Sequence, residues 1–170
     1  MYHFVLELLA LMHFFFINLY GTYKKRFSFI LLYWVCVLYA FYWELHGTGF
    51  QWSYPGYSFY LWGKIPLALI FGWCWWIFYI VLVSAWLRVK LNLTLWYHPI
   101  VVDWFVATLF GGVLENIAVY FGWWTYAVAN PPLLPYVSFN VWLGWALPVV
   151  VVIQMSRWLY ENISRKKPEY

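Results

Sequence analysis

Residues 41–76 read FYWELHGTGFQWSYPGYSFYLWGKIPLALIFGWCWW, and the skeleton of this stretch recurs later in the chain. In both copies an apolar run ends at a glutamate, a Trp-x-Tyr triplet follows, and a proline precedes a tryptophan by the same interval. The first copy is Glu44, Gly49, Trp52-Ser53-Tyr54, Pro66 and Trp73; the second is Glu115, Gly122, Trp124-Thr125-Tyr126, Pro135 and Trp142. The match predicts an internal repeat. The alternative is that a chain rich in Trp and Tyr matches itself by composition.

The composition indicates an integral membrane protein. The chain has 170 residues, of which 66% are hydrophobic, 27% aromatic and only 9% charged, whereas soluble domains carry roughly 25% charged residues. The net charge of +4 comes from basic residues near the ends of apolar runs, where they orient a membrane protein. We therefore expect the lipid bilayer, and no nucleic acid, as a partner.

The apolar runs predict an all-α bundle of five transmembrane helices forming one domain, 1–170, because each run is near the roughly 20 residues that cross the hydrocarbon core. The spans fall at about 4–20, 28–46, 65–87, 99–121 and 135–158, with a tail at 159–170. Pro66, Pro99 and Pro135 stand at three of the starts, where proline is well tolerated. The polar, glycine-rich segment 46–64 is a predicted loop or re-entrant cap, and segment 123–134, which contains Pro131 and Pro132, is a second predicted loop.

Alternate placement of the loops separates the charges. One face receives Lys24, Lys25, Arg26, Arg88, Lys90, Arg157, Arg165, Lys166 and Lys167, and the other receives Lys64. The positive-inside rule then predicts an N-terminus outside the cell inner membrane and a cytoplasmic C-terminus. In this topology spans 2–3 and spans 4–5 run in the same direction, so the repeat is predicted to be parallel, about an axis along the membrane normal.

Two glutamates are the first candidates for chemistry. A carboxyl group in or near hydrocarbon is unfavourable unless it is paired, solvated or neutral, and a neutral carboxyl group can act as a general acid. Glu44 ends an apolar run, and Glu115 follows Gly111 and Gly112, which leave space beside it. We predict Glu115 and Glu44 as catalytic, with Asn116 as a residue that holds water or bonds across helices. The alternative is that each glutamate lies at the headgroup boundary, is hydrated there and has no catalytic role.

The aromatic residues of the two copies are the predicted substrate-binding groups, because an aromatic face stabilises a desolvated positive charge. The alternative for each is the ordinary interfacial belt of Trp and Tyr. Together with one amide that could hold water, the predicted set is Trp52, Tyr54, Trp73, Trp124, Tyr126, Asn140 and Trp142.

The remaining polar residues predict no cofactor and no metal site. Asp103 is expected to pair with Arg88 or Lys90 at the interface. His3 and Glu7 stand one helical turn apart, but a metal site needs further ligands. Cys36 and Cys74 lack the spacing of a zinc or redox motif.

At the first copy, Glu44, Gly47-Thr48-Gly49-Phe50, Tyr54, Leu61 and Pro66 with the tryptophan after it resemble a carotenoid-biosynthesis membrane family that includes bisanhydrobacterioruberin hydratase. The second copy is similar to a motif of related bacterial membrane proteins, and the resemblance covers about half of the chain. It implies an apolar isoprenoid or carotenoid substrate. A protonated glutamate would attack a terminal double bond, and the cation would be quenched by water (a hydratase) or by a second double bond (a terpene cyclase).

Two other classes of function stay open. The chain could be a non-catalytic small subunit of a larger membrane complex that binds pigment or lipid, or it could form a homo-oligomer. A proton-coupled transporter is the third class, because parallel repeats and intramembrane carboxylates occur in carriers.

Overall fold

A computed structural model of the chain describes residues 2–48, 52–126, 132–134 and 137–168. Within these ranges it describes the side chains of residues 3–48, 52–126 and 146–168.

Five helices make up most of the protein. They are α1 (Tyr2–Tyr23), α2 (Phe27–Gly47), α3 (Leu67–Lys90), α4 (His98–Tyr120) and α5 (Phe139–Ser164). The first four are long and apolar enough to cross a membrane, which indicates a membrane protein. Among the described residues α5 does not qualify as a candidate span. The mostly helical architecture is therefore confirmed, and the fifth span stays a prediction.

The helix starts agree with the proline pattern where they can be compared. Pro99 occupies the first turn of α4, and Pro66 is the residue before α3. Proline suits these positions because its missing N–H has no partner in a helical first turn. Pro135 lies outside the described residues, and α5 begins only at Phe139 because residues 137–138 belong to a strand.

Short strands occur in the two segments that connect α2 to α3 and α4 to α5. They are β1 (Trp52–Ser53), β2 (Tyr60–Leu61), β3 (Ile65–Pro66), β4 (Thr125–Tyr126), β5 (Pro132–Leu134) and β6 (Val137–Ser138). Two pairs, β2 with β3 and β5 with β6, are local antiparallel hairpins. The third pair joins the two copies of the repeat, since β1 runs antiparallel to β4.

The contacts give the bundle two distinct ends. The β1–β4 pair places the C-terminal ends of α2 and α4 together, and His3 of α1 reaches Gly122 at the same end. We call this the loop end. The opposite basic end holds residues 24–26, residues 91–97 and the C-terminal part of α5, and with them all the basic residues except Lys64.

The core lies between α2, α3, α4 and α5. Its fully buried members include Leu32, Ile80, Val106 and Ile153. α1 is the least buried of the four candidate spans, and it packs mainly against α3. α1 therefore forms an outer wall of the bundle.

A buried ion pair joins α4 to α5 near the basic end. Arg157 Nη1 donates to Asp103 Oδ2 at 2.6 Å, and Gln154 donates to the same oxygen at 3.1 Å. Asp103 is fully buried. The expected salt bridge therefore exists, but its partner is Arg157 rather than Arg88 or Lys90, because α5 packs closely against α4 and brings its own cation to this depth.

Replacing one member of this pair should destabilise the bundle far more than replacing both. Arg157→Met leaves a buried carboxylate without its cation and should lower the free energy of unfolding by roughly 3–5 kcal/mol. Adding Asp103→Leu should recover most of that loss. Unfolding by titration with a denaturing detergent measures both variants, with the exposed Arg165→Met as control. Equal losses for the single and the double variant would contradict this account.

Candidate functional site

Glu44 lies at the centre of a cluster of hydrogen-bond donors at the loop end. Thr48 Oγ1, Trp52 Nε1 and Trp73 Nε1 each donate to its carboxylate at 2.9 Å. The hydroxyl of Tyr54 lies 2.8 and 2.7 Å from the two carboxylate oxygens. The side chain of Glu44 is fully buried. A buried charge is tolerated only when it is paired or well bonded, and these donors supply that bonding.

Local geometry explains why these residues converge on Glu44. Thr48 stands one helical turn after Glu44. Trp52 and Tyr54 are two residues apart in extended chain, so their side chains point to the same side. The ring of Trp52 crosses directly over Gly47, where an added Cβ would lie 1.9 Å from the ring carbon Cζ2. Only glycine leaves room for Trp52 to reach the carboxylate.

Glu115 lies in a second cluster of the same kind. Trp124 Nε1 donates to Glu115 Oε2 at 2.9 Å, and the hydroxyl of Tyr126 donates to the same oxygen. Glu115 is 2% exposed. The Glu, Trp and Tyr of the second copy therefore reproduce the arrangement of the first. The residue that corresponds to Trp73 is Trp142, whose side chain lies outside the described residues.

The two clusters meet along the β1–β4 pair. Trp52 is opposite Tyr126, and Ser53 is opposite Thr125, with their hydroxyl oxygens 2.8 Å apart. Tyr54 makes an edge-on ring contact with Trp124 at 6.2 Å between centroids, and Trp52 makes the same kind of contact with Tyr126 at 6.5 Å. This register, Trp opposite Tyr in both directions, is what a two-fold relation between the copies would produce.

The two tyrosines of the clusters stay protonated over a wide pH range. Burial, followed by the negative charge of Glu44, raises the pKa of Tyr54 well above its usual 10.0. Burial and then the charge of Glu115 raise the pKa of Tyr126 in the same way. Each phenol is therefore a fixed donor to its glutamate.

An apolar cavity of about 540 Å³ lies beside the second cluster. Its walls come from α1, α3, α4 and the two loops, and they are aliphatic and aromatic except for a few polar atoms. Tryptophans 73, 75, 76, 123 and 124 line it, and Glu115 stands in the wall. Among the lining residues whose side chains the structure describes, Glu115 is the one carboxylic acid. The volume is in the range of small-molecule sites.

The predicted site residues divide between cavity and clusters. Glu115, Trp73 and Trp124 line the cavity, whereas Trp52, Tyr54 and Tyr126 use their polar atoms to hold the glutamates. Glu44 reaches the cavity only through Trp73, which lines it and donates to Glu44. The side chains of Asn140 and Trp142 lie outside the described residues.

Asn116 does not stand in the cavity wall. Its Nδ2 donates to the carbonyl of Gly112, one turn earlier in α4, at 2.7 Å. The residues that line the cavity do not include it, so its predicted role in holding a water molecule gains no support from the geometry.

Glu7 and His3 hold the two loops to α1. Glu7 Oε1 accepts from the backbone N–H groups of Ser58 at 2.6 Å and Phe59 at 3.3 Å. His3 Nε2 lies 3.3 Å from the carbonyl oxygen of Gly122, to which it donates. The two side chains therefore form hydrogen bonds to different loops. The part of the chain that the structure describes contains no group of three or more His, Cys, Asp or Glu residues able to hold a metal ion.

Four functional positions were missed at the sequence level. Tyr57, Trp75, Trp76 and Trp123 line the cavity outside the repeated skeleton. Their letters are common in membrane helices and loops, so no local pattern distinguishes them. Gly72, also in the wall, did carry a signal, since glycine inside an apolar helix has a low helix propensity.

Comparison of the chain with protein-family models, with curated proteins and with solved structures finds no match. Function is therefore inferred from the two clusters and the cavity.

The close approach of Trp52 to Gly47 predicts a strong asymmetry between two glycines. Gly47→Ala should displace Trp52 from Glu44 and lower stability by roughly 1–3 kcal/mol. Gly72→Ala is the matched control, because a Cβ there meets nothing within 4 Å, and alanine should stabilise the helix slightly. Detergent unfolding measures both. A Gly47→Ala variant as stable as wild type would show that Trp52 is not held in this position.

The raised pKa values of Tyr54 and Tyr126 predict a loss of stability in alkali. Their contribution is complete below the ordinary tyrosine pKa of 10.0 and falls as the pH rises above it, because the unfolded chain then releases protons that the folded chain keeps. The double variant Tyr54→Phe, Tyr126→Phe should be less stable at neutral pH and lose less stability between about pH 9 and pH 11. The exposed Tyr23→Phe is the control. An unchanged pH dependence in the double variant would contradict the assignment.

Proposed function

We propose that the protein is a membrane enzyme of isoprenoid or carotenoid metabolism that protonates a terminal isoprenoid double bond with Glu115 and closes a ring. The observation that carries this proposal is a single carboxylic acid in the wall of an apolar, tryptophan-rich cavity of about 540 Å³. Protonation of an alkene needs an acid close to hydrocarbon, and the intermediate cation needs aromatic faces and no competing water.

The proposed reaction balances without a cofactor. The proton of the Glu115 carboxyl group moves to the less substituted carbon of the double bond, and a tertiary carbocation forms. The π electrons of a second double bond in the same chain then form the new carbon–carbon bond. The resulting cation loses a neighbouring proton to the Glu115 carboxylate, which restores the acid. The product is an isomer of the substrate.

The wall of the cavity supports ring closure more than hydration. Quenching by water would need a group that orients the water molecule towards the cation, and Asn116, the amide predicted for that role, bonds to Gly112 and is not among the residues that line the cavity. Aromatic faces supply the stabilisation that a desolvated cation needs. A hydratase, with a tertiary alcohol as product, is the alternative outcome of the same first step.

A non-catalytic subunit that binds pigment or lipid is the second candidate. It is favoured by the bonds that Glu115 makes to Trp124 and Tyr126, because a carboxylate that holds two loop residues already has a structural role. The same cavity would then store an apolar ligand, in a homo-oligomer or as part of a larger complex.

The proposal includes a topology. α5 serves as a fifth span, since it packs against α2 and α4 and returns the chain to the basic end. The concentration of basic residues at that end supports a cytoplasmic C-terminus and an N-terminus outside the cell inner membrane. Glu115 then works near the outer side of the bilayer.

The enzymatic proposal predicts a product that depends on Glu115. Cells that make linear polyprenoids or carotenoids and express the protein should accumulate an isomer of equal mass. Glu115→Gln should lower product formation by at least about 100-fold, since the amide cannot donate the proton, although its oxygen can still accept from Trp124 and Tyr126. The exposed Glu161→Gln is the matched control. Chromatography with mass spectrometry measures the product.

The result of this expression experiment distinguishes the proposed functions. A product heavier by one water identifies a hydratase. Unchanged substrate in wild-type cells, with the hydrocarbon copurifying with the protein, favours the binding subunit. Equal product from wild type and Glu115→Gln would show that Glu115 is not the acid.

A further inference from the structure

The cavity is closed towards the loop end. Tyr57 and Trp124 cover it from the two loops and are themselves buried. Both loops are tied to α1, one through Glu7 to Ser58 and the other through His3 to Gly122. A substrate that approached from water at this end would have to break these bonds.

The cavity is open on its side. The described residues of its wall are buried or half-buried with three exceptions: Val5 and Leu9 of α1 are 47% and 40% exposed, and Ile117 of α4 is 40% exposed. These three line the cavity and also face outward, so they mark a mouth between α1 and α4. Leu9 follows the start of α1 by roughly 10 Å of helix, so the mouth lies below the helix ends, where the surroundings of a membrane-spanning helix are hydrocarbon.

The absence of a side chain at Gly72 determines how far the cavity extends towards α3. Gly72 lines the cavity from the second turn of α3, and a Cβ placed on it would have no neighbour within 4 Å. A glycine costs roughly 1 kcal/mol of helix stability relative to alanine. The space that its missing side chain leaves is therefore part of the binding volume.

We propose that the mouth between α1 and α4 admits one end of a linear, unsaturated isoprenoid chain directly from the bilayer, and that the space beside Gly72 receives its terminal unit. This deepens the proposed function and rests on it for the identity of the substrate. The chemistry of the wall selects the ligand. A phosphate or other charged headgroup would find no cation among the described residues of the wall, and aromatic rings bind the faces and edges of unsaturated groups. A cavity of about 540 Å³ takes a drug-sized ligand, so the rest of a long chain stays in the lipid.

Binding to the full-length protein in phosphatidylcholine nanodiscs tests the proposal without turnover. Lycopene is the probe, because a bound polyene quenches tryptophan fluorescence. Wild type and Glu115→Gln should bind it with saturation. Gly72→Leu should weaken binding by at least about tenfold, because the leucine side chain fills the space. Gly72→Ala should bind within about threefold of wild type, and Val113→Leu on the exposed face of α4 should bind as wild type does.

Two further measurements test which class of ligand binds and by which route it enters the cavity. Squalene should compete with lycopene, and squalane, its saturated counterpart, should compete at least about tenfold less well. Leu9→Trp should slow association through the mouth, whereas Phe16→Trp, exposed elsewhere on α1, should not. Equal binding by wild type and Gly72→Leu, equal competition by squalane, or an unchanged rate in Leu9→Trp would overturn the proposal.

The inference and the proposed function can fail separately. Saturable binding that Gly72→Leu abolishes, with no product from wild type in cells, would support the lateral binding site and contradict the enzymatic proposal. Product formation that depends on Glu115 but is unchanged in Gly72→Leu would support the enzymatic proposal and contradict the lateral binding site.

Discussion

The structure depends on the need of two carboxylates for hydrogen-bond donors in a bundle that offers little water. Glu44 meets that need with two tryptophans, a tyrosine and a threonine, and Glu115 meets it with a tryptophan and a tyrosine. All but one of these donors come from the helix end or from the loop that follows each glutamate. The requirement of each buried carboxyl group thus determines the path of the chain at the loop end, and two of the rings that satisfy it, Trp73 and Trp124, also line the cavity.

This arrangement places two similar copies in different surroundings. The first copy uses Trp73 to complete the bonding of Glu44 and to separate that glutamate from the cavity. In the second copy Glu115 stands in the cavity wall itself. One carboxylate is therefore enclosed by its own side chains and holds the scaffold, and the other is placed where a ligand can reach it. A repeat that begins as two equivalent halves can in this way separate a structural role from a chemical one.

The sequence predicts the helices and the pairing of their termini well, because hydropathy and proline positions are local properties. The repeat also identified Trp52 and Tyr54 as equivalent to Trp124 and Tyr126. What the pattern could not give was the direction in which these side chains point. A tryptophan that donates to a carboxylate and one that lines a cavity have the same letter and the same spacing. The partner of Asp103 was likewise inaccessible, since it depends on how α5 packs against α4. Gly72 stood out as a glycine inside an apolar helix, but the space beside it depends on how α1 packs against α3.

The bonds from α1 to the two loops have a consequence for the order of assembly. Glu7 and Ser58 are separated by 51 residues, and His3 and Gly122 by 119. The first bond can form once the opening helices have been synthesised, but the second waits until most of the chain exists, and closing so long a stretch is entropically unfavourable until the intervening helices have packed. The bonds at the loop end of α1 therefore form in two steps, first through Glu7 and later through His3. Until that moment α1 is held mainly by its contact with α3, and the site acquires its roof only when the molecule is nearly complete.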